Sequence, residues 1–320
     1  MSRQITNGVD SISLGICGVG TMGAKAAVAL IEGGYTVQAF DVHTPSLQAL
    51  SNQGILPVDA PVDLGTSCDI ILLFLPGPRQ IEAALTEGDG ILAAAAAPPA
   101  PGSRETRKVI IDMSTVDPES TRRMHELASS KGAAYLDAPV LGRPGSVGKW
   151  VLPVGGEAEA LASARPALEV LAATVVHAGP SGAGNQIKLL NQLMFGAING
   201  ITAEVMAIAD RIGVSQELFY QTIGGSSAAT VSPLFKELGR RVVEGDYADP
   251  TFTVDLLIKD VSLGLEMATA GGAVPILARS VDYLNRLAAQ QGHGSKDTSV
   301  MWQAVRKTWT AGDTSSQQNS

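Results

Sequence analysis

Through the first half of the chain, short apolar runs alternate with longer segments whose apolar residues recur at helical spacing. Ser11 to Cys17 is a short apolar run ending in glycines, and Thr21 to Gly33 spaces its Ala, Val, Leu and Ile for one buried helix face. Tyr35 to Phe40 is strand-like again. Asp69 to Leu75 is apolar almost without a break, as expected of a parallel strand covered on both faces. Lys108 to Met113 and Ala134 to Leu136 are the next strand candidates, with helical stretches between them. This alternation predicts an α/β domain built on a mostly parallel sheet with right-handed crossovers.

Near residue 180 the pattern changes. Gly182 to Gly213 contains one long helical candidate, followed by further helices and little strand signal. Between Leu189 and Asp210 apolar residues fall on every side, which predicts a buried central helix of an all-α domain, packed in a dimer as well. Asn191, Gln192, Asn199, Thr202 and Glu204 interrupt it and argue against a membrane span. The expected division is residues 1–180 and 181–320. The Ala/Pro-rich stretch Ile91 to Arg104 reads as a surface loop leading to the Lys108 strand, and the polar tail 311–320 as disordered.

Composition narrows the classes. Of 320 residues 45% are hydrophobic and 17% charged, enough apolar surface for sizeable cores. The net charge of −8 argues against nucleic acid or an anionic membrane as the main partner. Cys17 and Cys68 are the only cysteines, so neither a disulfide framework nor a thiolate metal site is expected. The first residues lack the apolar core of a secretory signal, which leaves the cytoplasm as the expected location. The 35 glycines outnumber the aromatics, and their positions carry chemistry.

Gly18-Val19-Gly20-Thr21-Met22-Gly23 follows a predicted strand and opens a predicted helix. The first glycine allows the tight turn, the second lets a pyrophosphate approach the backbone, and the third lets helix and strand pack closely. The helix N-terminus then offers unpaired N–H groups to phosphate. Asp41, at the end of the second strand, suits the hydroxyls of a ribose and repels a 2′-phosphate. That favours NAD; His43 and Thr44 would tolerate the phosphate of NADP, and no arginine stands beside Asp41 to clamp it. Leu75 and Pro76 end one strand and Ser114 and Thr115 another, where ligands of parallel sheets bind. The two hydroxyls read as caps of the following helix, as cofactor contacts, or as one of each.

Together these residues resemble the β-hydroxyacid dehydrogenase family, over about residues 12 to 309. Four motifs fall in the family's order: Gly18 to Gly23, Asp137 to Gly142, Gly182 to Asn191 with Lys188 inside it, and Lys259-Asp260. The resemblance implies an N-terminal Rossmann domain, a helical C-terminal domain, a cleft site between them, and a homodimer or homotetramer. It also implies that Lys188 is the general acid/base, Asn191 a substrate-holding partner, and Gly142 a backbone contact for the substrate's acid. Leu75, Thr115 and Lys259 would contact the cofactor.

The chemistry agrees. Hydride exchange with a carbonyl needs a proton at the forming alkoxide, and His43, His125, His177 and His293 lie outside the catalytic segment. Lys188 follows a glycine-rich turn near the start of a buried helix, where the helix dipole and desolvation both disfavour its charge. Asn191 lies three residues on and shares its helix face. The substrate segment departs from the Ser-Gly-Gly that many members carry: here it runs Leu141-Gly142-Arg143. Arg143 offers a fork for carboxylate, phosphate or sulfonate, or else braces the loop; Ser146 is a candidate for the missing hydroxyl. Asp255 and Lys259 are an i,i+4 pair, and Trp150, Phe252 and the Gly294 to Ser299 turn are candidates for shaping the pocket. The expected activity is NAD(P)-dependent hydride transfer on a small anionic β-hydroxyacid or its semialdehyde. An imine reductase is the alternative, which Lys188 opposes, and a non-catalytic cofactor-binding protein is the more remote one.

Overall fold

The computed structural model describes residues 12–95 and 107–312, and the chain divides into two compact units, Met1–Lys188 and Leu189–Ser320. Among the described residues the first unit carries eight strands: β1 (Ser13–Cys17), β2 (Thr36–Phe40), β3 (Leu56–Pro57), β4 (Ile70–Leu73), β5 (Val109–Asp112), β6 (Ala134–Asp137), β7 (Trp150–Gly155) and β8 (Ala172–Gly179). They form one sheet in the order β3-β2-β1-β4-β5-β6-β7-β8. Every described pairing is parallel except β6–β7, which meets antiparallel through the single pair Asp137 and Gly155.

Among the described residues seven α-helices lie wholly in this unit: α1 (Thr21–Glu32), α2 (Thr44–Ser51), α3 (Pro61–Ser67), α4 (Pro78–Thr86), α5 (Ile91–Ala95), α6 (Pro118–Ser130) and α7 (Ala158–Leu171). Alternate residues of each central strand enter different cores. Ile70 and Leu72 of β4 pack with Leu30 of α1 and Leu168 of α7, whereas Ile71 and Leu73 pack with Leu64 of α3, Ile81 of α4 and Met124 of α6. Burial on both faces is why β4 reads as an unbroken apolar run. The reversal of strand order at β1 and β4 opens a crevice at the carboxyl ends of these strands, the usual place for a ligand in such sheets.

The second unit is helical, with α9 (Gln216–Gly224), α10 (Pro233–Glu244), α11 (Val254–Ala270), α12 (Ile276–Ala288) and α13 (Met301–Gly312). The long α8 (Ala183–Arg211) begins in the first unit and continues into the second. A core of Ala203, Val254, Ala288, Val300, Met301 and Ala304 holds the helical unit.

Several expectations need correction. Three strands were not foreseen, β3, β7 and β8; β8 is an edge strand with most residues exposed or half-buried and shows no clean alternation. The Ala/Pro-rich stretch begins as a helix rather than a loop, because Ile91 and Leu92 are anchored in the core; residues 96–106 lie outside the described residues. Of the tail expected to be disordered, 311–312 end α13 and the rest lies outside the described residues. The central helix α8 is not buried all round: Leu190, Met194, Ile201 and Ile208 are exposed in the single chain. By length and composition α8 reaches the requirement for a membrane span, yet half of its apolar window is buried. Its polar residues Gln192, Asn199 and Thr202 are buried too.

Candidate active site

The glycine loop between β1 and α1 is shaped by contact rather than by sequence alone. Gly18 has φ +94°, and a Cβ there would overlap the Phe74 carbonyl; a Cβ on Gly23 would overlap the carbonyl of Gly18. Around Gly20, by contrast, a Cβ would meet nothing within 4 Å. The open side of the loop is therefore where a phosphate group can reach the backbone. Gly20 is also the N-cap of α1 and supplies no side-chain acceptor, and the first turn of α1 carries no acid. Its leading N–H groups and the positive helix end stay available to an anion, so these residues fit a dinucleotide.

Asp41 sits half-buried at the end of β2. Its Oδ2 accepts the Val19 N–H and its Oδ1 the His43 N–H, both at 2.7 Å. The acid thus ties the phosphate loop to β2, and each oxygen keeps a lone pair for a ribose hydroxyl. The Cys17 thiol beneath the loop is pushed up to about 12 by burial and by Asp41, so it is no nucleophile.

At the next strand ends, the Ser114 hydroxyl accepts the Leu75 N–H at 2.9 Å, joining the ends of β4 and β5. The cap of α6 is Asp117, which accepts the Ser120 N–H at 2.7 Å, so this role expected of Ser114 or Thr115 belongs to neither. Thr115 is half-buried and Pro76 exposed. Beneath them Asp112 and Asp137 lie fully buried side by side, with Tyr135 donating to Asp112 at 2.9 Å.

Lys188 is half-buried on α8, and its ammonium donates to the Val140 carbonyl at 2.9 Å. Val140 runs directly into Leu141, Gly142 and Arg143. The fold therefore brings the acid/base candidate to the anion-binding candidates. Leu141 pairs with Val151 of β7 through two backbone hydrogen bonds. A Cβ on Gly142 would overlap the Trp150 ring, so that glycine is required by packing. The Arg143 backbone is pinned twice over: its N–H donates to the Ser146 hydroxyl at 3.0 Å, and its carbonyl accepts from Ser146 and from the Trp150 indole at 2.9 and 2.8 Å. Ser146 is thus engaged with the loop itself. Trp150 belongs to the hydrophobic core and acts through the loop it braces.

In the helical unit, Asn191 is exposed and donates to Gln192 at 3.2 Å; buried Gln192 donates to Asp260 at 2.6 Å; and Lys259 pairs with Asp260 at 3.1 Å. Lys259 therefore has an acid partner next door in sequence. Phe252 packs edge-on against Phe195 at 5.4 Å. In the Gly294 to Ser299 turn, Asp297 accepts from Ser299 and Thr251 at 3.0 Å each, which makes the turn a brace.

Two family models cover nearly all of this framework. Residues 13–179 match the NAD binding domain of 6-phosphogluconate dehydrogenase, and residues 182–305 match the NAD-binding domain of NADP-dependent 3-hydroxyisobutyrate dehydrogenase. A 3-hydroxyisobutyrate dehydrogenase of Pseudomonas aeruginosa is 32% identical, covering 88% of this chain and 95% of that protein. The chain belongs to the β-hydroxyacid dehydrogenase family. A second family member, 2-(hydroxymethyl)glutarate dehydrogenase of Eubacterium barkeri, is 31% identical over 93% of this chain and 95% of its own. The crystal structure of 3-hydroxyisobutyrate dehydrogenase from Salmonella typhimurium superposes with a TM-score of 0.82 at 24% identity, covering 92% of this chain and 99% of that one. An imine reductase from Pseudomonas sp. shares the fold more distantly, with a TM-score of 0.58 at 19% identity over 92% and 99%. As a β-hydroxyacid dehydrogenase the protein is an NAD(P)-dependent oxidoreductase acting on a hydroxyl group.

Sequence reasoning passed over Asp137 and Asn185. Both lie inside quoted motifs, yet their partners are 45 to 69 residues away: Asp137 accepts from Gly182 and Asn185, and Asn185 holds Val116 and Thr121. The available signal was an acid ending an apolar strand and an amide in a first helical turn.

Proposed function

We propose that this enzyme prefers NAD and exchanges hydride with a small β-hydroxyacid or its semialdehyde, with Lys188 moving the proton. Its relatives are named for such hydroxyacids. The observation that carries the reading is the Lys188 ammonium on the Val140 carbonyl, at the head of the Leu141–Arg143 segment. The bound nicotinamide supplies or accepts the hydride. In reduction Lys188 gives a proton to the substrate oxygen as it becomes an alkoxide; in oxidation it takes that proton back. Asn191, three positions along the same helix, holds the substrate hydroxyl. Arg143 grips the acid group as a fork, and the Gly142 backbone lines its approach. Gly18 to Gly23, Asp41, Leu75, Pro76, Thr115 and Lys259 serve the cofactor, with Asp41 on the ribose hydroxyls. We place the enzyme in the cytoplasm as a homo-oligomer.

A panel of small hydroxyacids, semialdehydes and cyclic imines, run with NAD and NADP in both directions, tests this. Lys188→Ala should lower kcat by about 10²- to 10⁴-fold with cofactor affinity retained. Arg143→Ala should raise the KM for the anionic substrate about tenfold or more. Near-normal turnover of Lys188→Ala, or turnover of imines alone, would overturn the assignment.

A further inference from the structure

Asp137 ends β6 fully buried, and the start of α8 engages both its oxygens. Oδ1 accepts the Gly182 N–H at 2.8 Å and Oδ2 the Asn185 N–H at 2.9 Å. Two glycines make the room: a Cβ on Gly155 would overlap Oδ1, and one on Gly184 would come 2.9 Å from Oδ2. Three residues further on, Val140 takes the Lys188 ammonium. One short stretch of chain therefore grips α8 twice, at its first turn and at its lysine. Asn185 extends the grip, since its Oδ1 accepts the Val116 N–H at 3.2 Å and its amide donates to Thr121 at 3.2 Å.

Holding a charge here is unfavourable. Burial pushes the Asp137 carboxyl up to about 6, against the pull of its two N–H partners, and the neighbouring Asp112 adds to the rise. A carboxylate that weakens the fold at neutral pH is retained for something a neutral side chain does not offer. What it offers is two full acceptors side by side, aimed at two backbone donors. Protonation turns one of them into a donor facing an N–H group.

We propose that Asp137 is a positioning residue for Lys188: its ionised carboxylate seats the first turn of α8 and so sets where the lysine meets the substrate oxygen. This rests on the reading of Lys188 as the acid/base. The charged and titratable groups around the seat are Asp112 of β5, with the Tyr135 hydroxyl of β6 on it, and Arg122 of α6 beside Gly182. Asp117, the cap of α6, His177 of β8, bonded to the Gly156 carbonyl, and Lys188 itself belong with them. The group whose ionisation seats α8 is Asp137.

The test has two arms. In the reduction direction Lys188 works protonated, so its own titration removes activity at high pH and not at low pH. Wild-type kcat for reduction should therefore fall on the acid side with a midpoint near 6. Asp137→Asn should lower kcat about 10- to 100-fold, abolish that acid limb and leave cofactor KM within about twofold. The second arm needs no substrate or cofactor: hydrogen–deuterium exchange of the Gly182–Lys188 amides, corrected for intrinsic rates. Exchange should quicken about tenfold in the wild type between pH 7 and 5 and be fast at both pH values in Asp137→Asn. A flat exchange profile in the wild type, or a folded Asp137→Asn enzyme with normal kcat and an unchanged acid limb, would overturn the proposal. The wild-type exchange profile decides if the variant fails to fold. Loosening of α8 without reductase activity on any substrate overturns the Lys188 reading and, with it, the positioning role, while leaving the seat itself demonstrated.

Discussion

A single methyl group separates two kinds of glycine in the phosphate loop. At Gly23 a Cβ would overlap the Gly18 carbonyl, whereas at Gly20 it would project into open space. Gly23→Ala should therefore distort the β1–α1 junction and weaken both fold and cofactor binding. Gly20→Ala should keep the thermal midpoint and lose affinity for the dinucleotide about tenfold or more, because its methyl occupies the phosphate's approach. Paired thermal-shift and cofactor titrations distinguish them, and equal stability losses would contradict the open-space geometry. These glycines were legible in the sequence because the loop is local and each residue has one geometric duty. Asp41 was legible for the same reason, although its bonds to Val19 and His43 add a structural duty that spacing alone did not reveal. Asp137 was not, since its partners, Gly182 and Asn185, belong to another motif.

Among elements, α8 carries the most consequence. Leu190, Met194, Ile201 and Ile208 recur at intervals of four, seven and seven residues, forming one stripe along the helix that the single chain leaves exposed. We propose that a second copy of the chain covers this stripe. Met194→Lys combined with Ile201→Lys should shift sedimentation from oligomer to monomer while the monomer keeps its helical content; an unchanged sedimentation coefficient would exclude this face. The all-round apolar pattern of α8 was readable, but a sequence does not say whether the chain itself or a partner covers each side. For the same kind of reason β1, β2, β4, β5 and β6 could be read, being core strands, while β8 could not: an exposed edge strand has no reason to keep an apolar rhythm. The two-residue β3 is too short to show any period.

For the whole molecule, the raised Asp137 carboxyl predicts opposite responses of stability and activity to acid. The folded chain takes up this proton as pH falls through about 6, whereas the unfolded chain holds its carboxylate ionised to about 3.8. Its contribution to stability is full below the lower value and is lost as pH rises through the upper one. Between pH 7 and 5 the wild type should gain on the order of 1 kcal/mol relative to Asp137→Asn in urea unfolding, and a loss would reverse the sign argued here. The other feature at this scale is the joint in the sheet. The strands run parallel up to β6, and β7 attaches through one antiparallel pair, Asp137 with Gly155. The Pro153 carbonyl of β7 lies against Gly184, so β7 also forms a wall of the seat that receives α8. The nucleotide loop, by contrast, is complete once β1, β2 and β4 have met. The glycine loop and the seat of the lysine therefore rest on different strands of one sheet. Opening the β7 joint should accordingly disturb the lysine's seat and spare the glycine loop, so that one end of the sheet can loosen while the other keeps its shape.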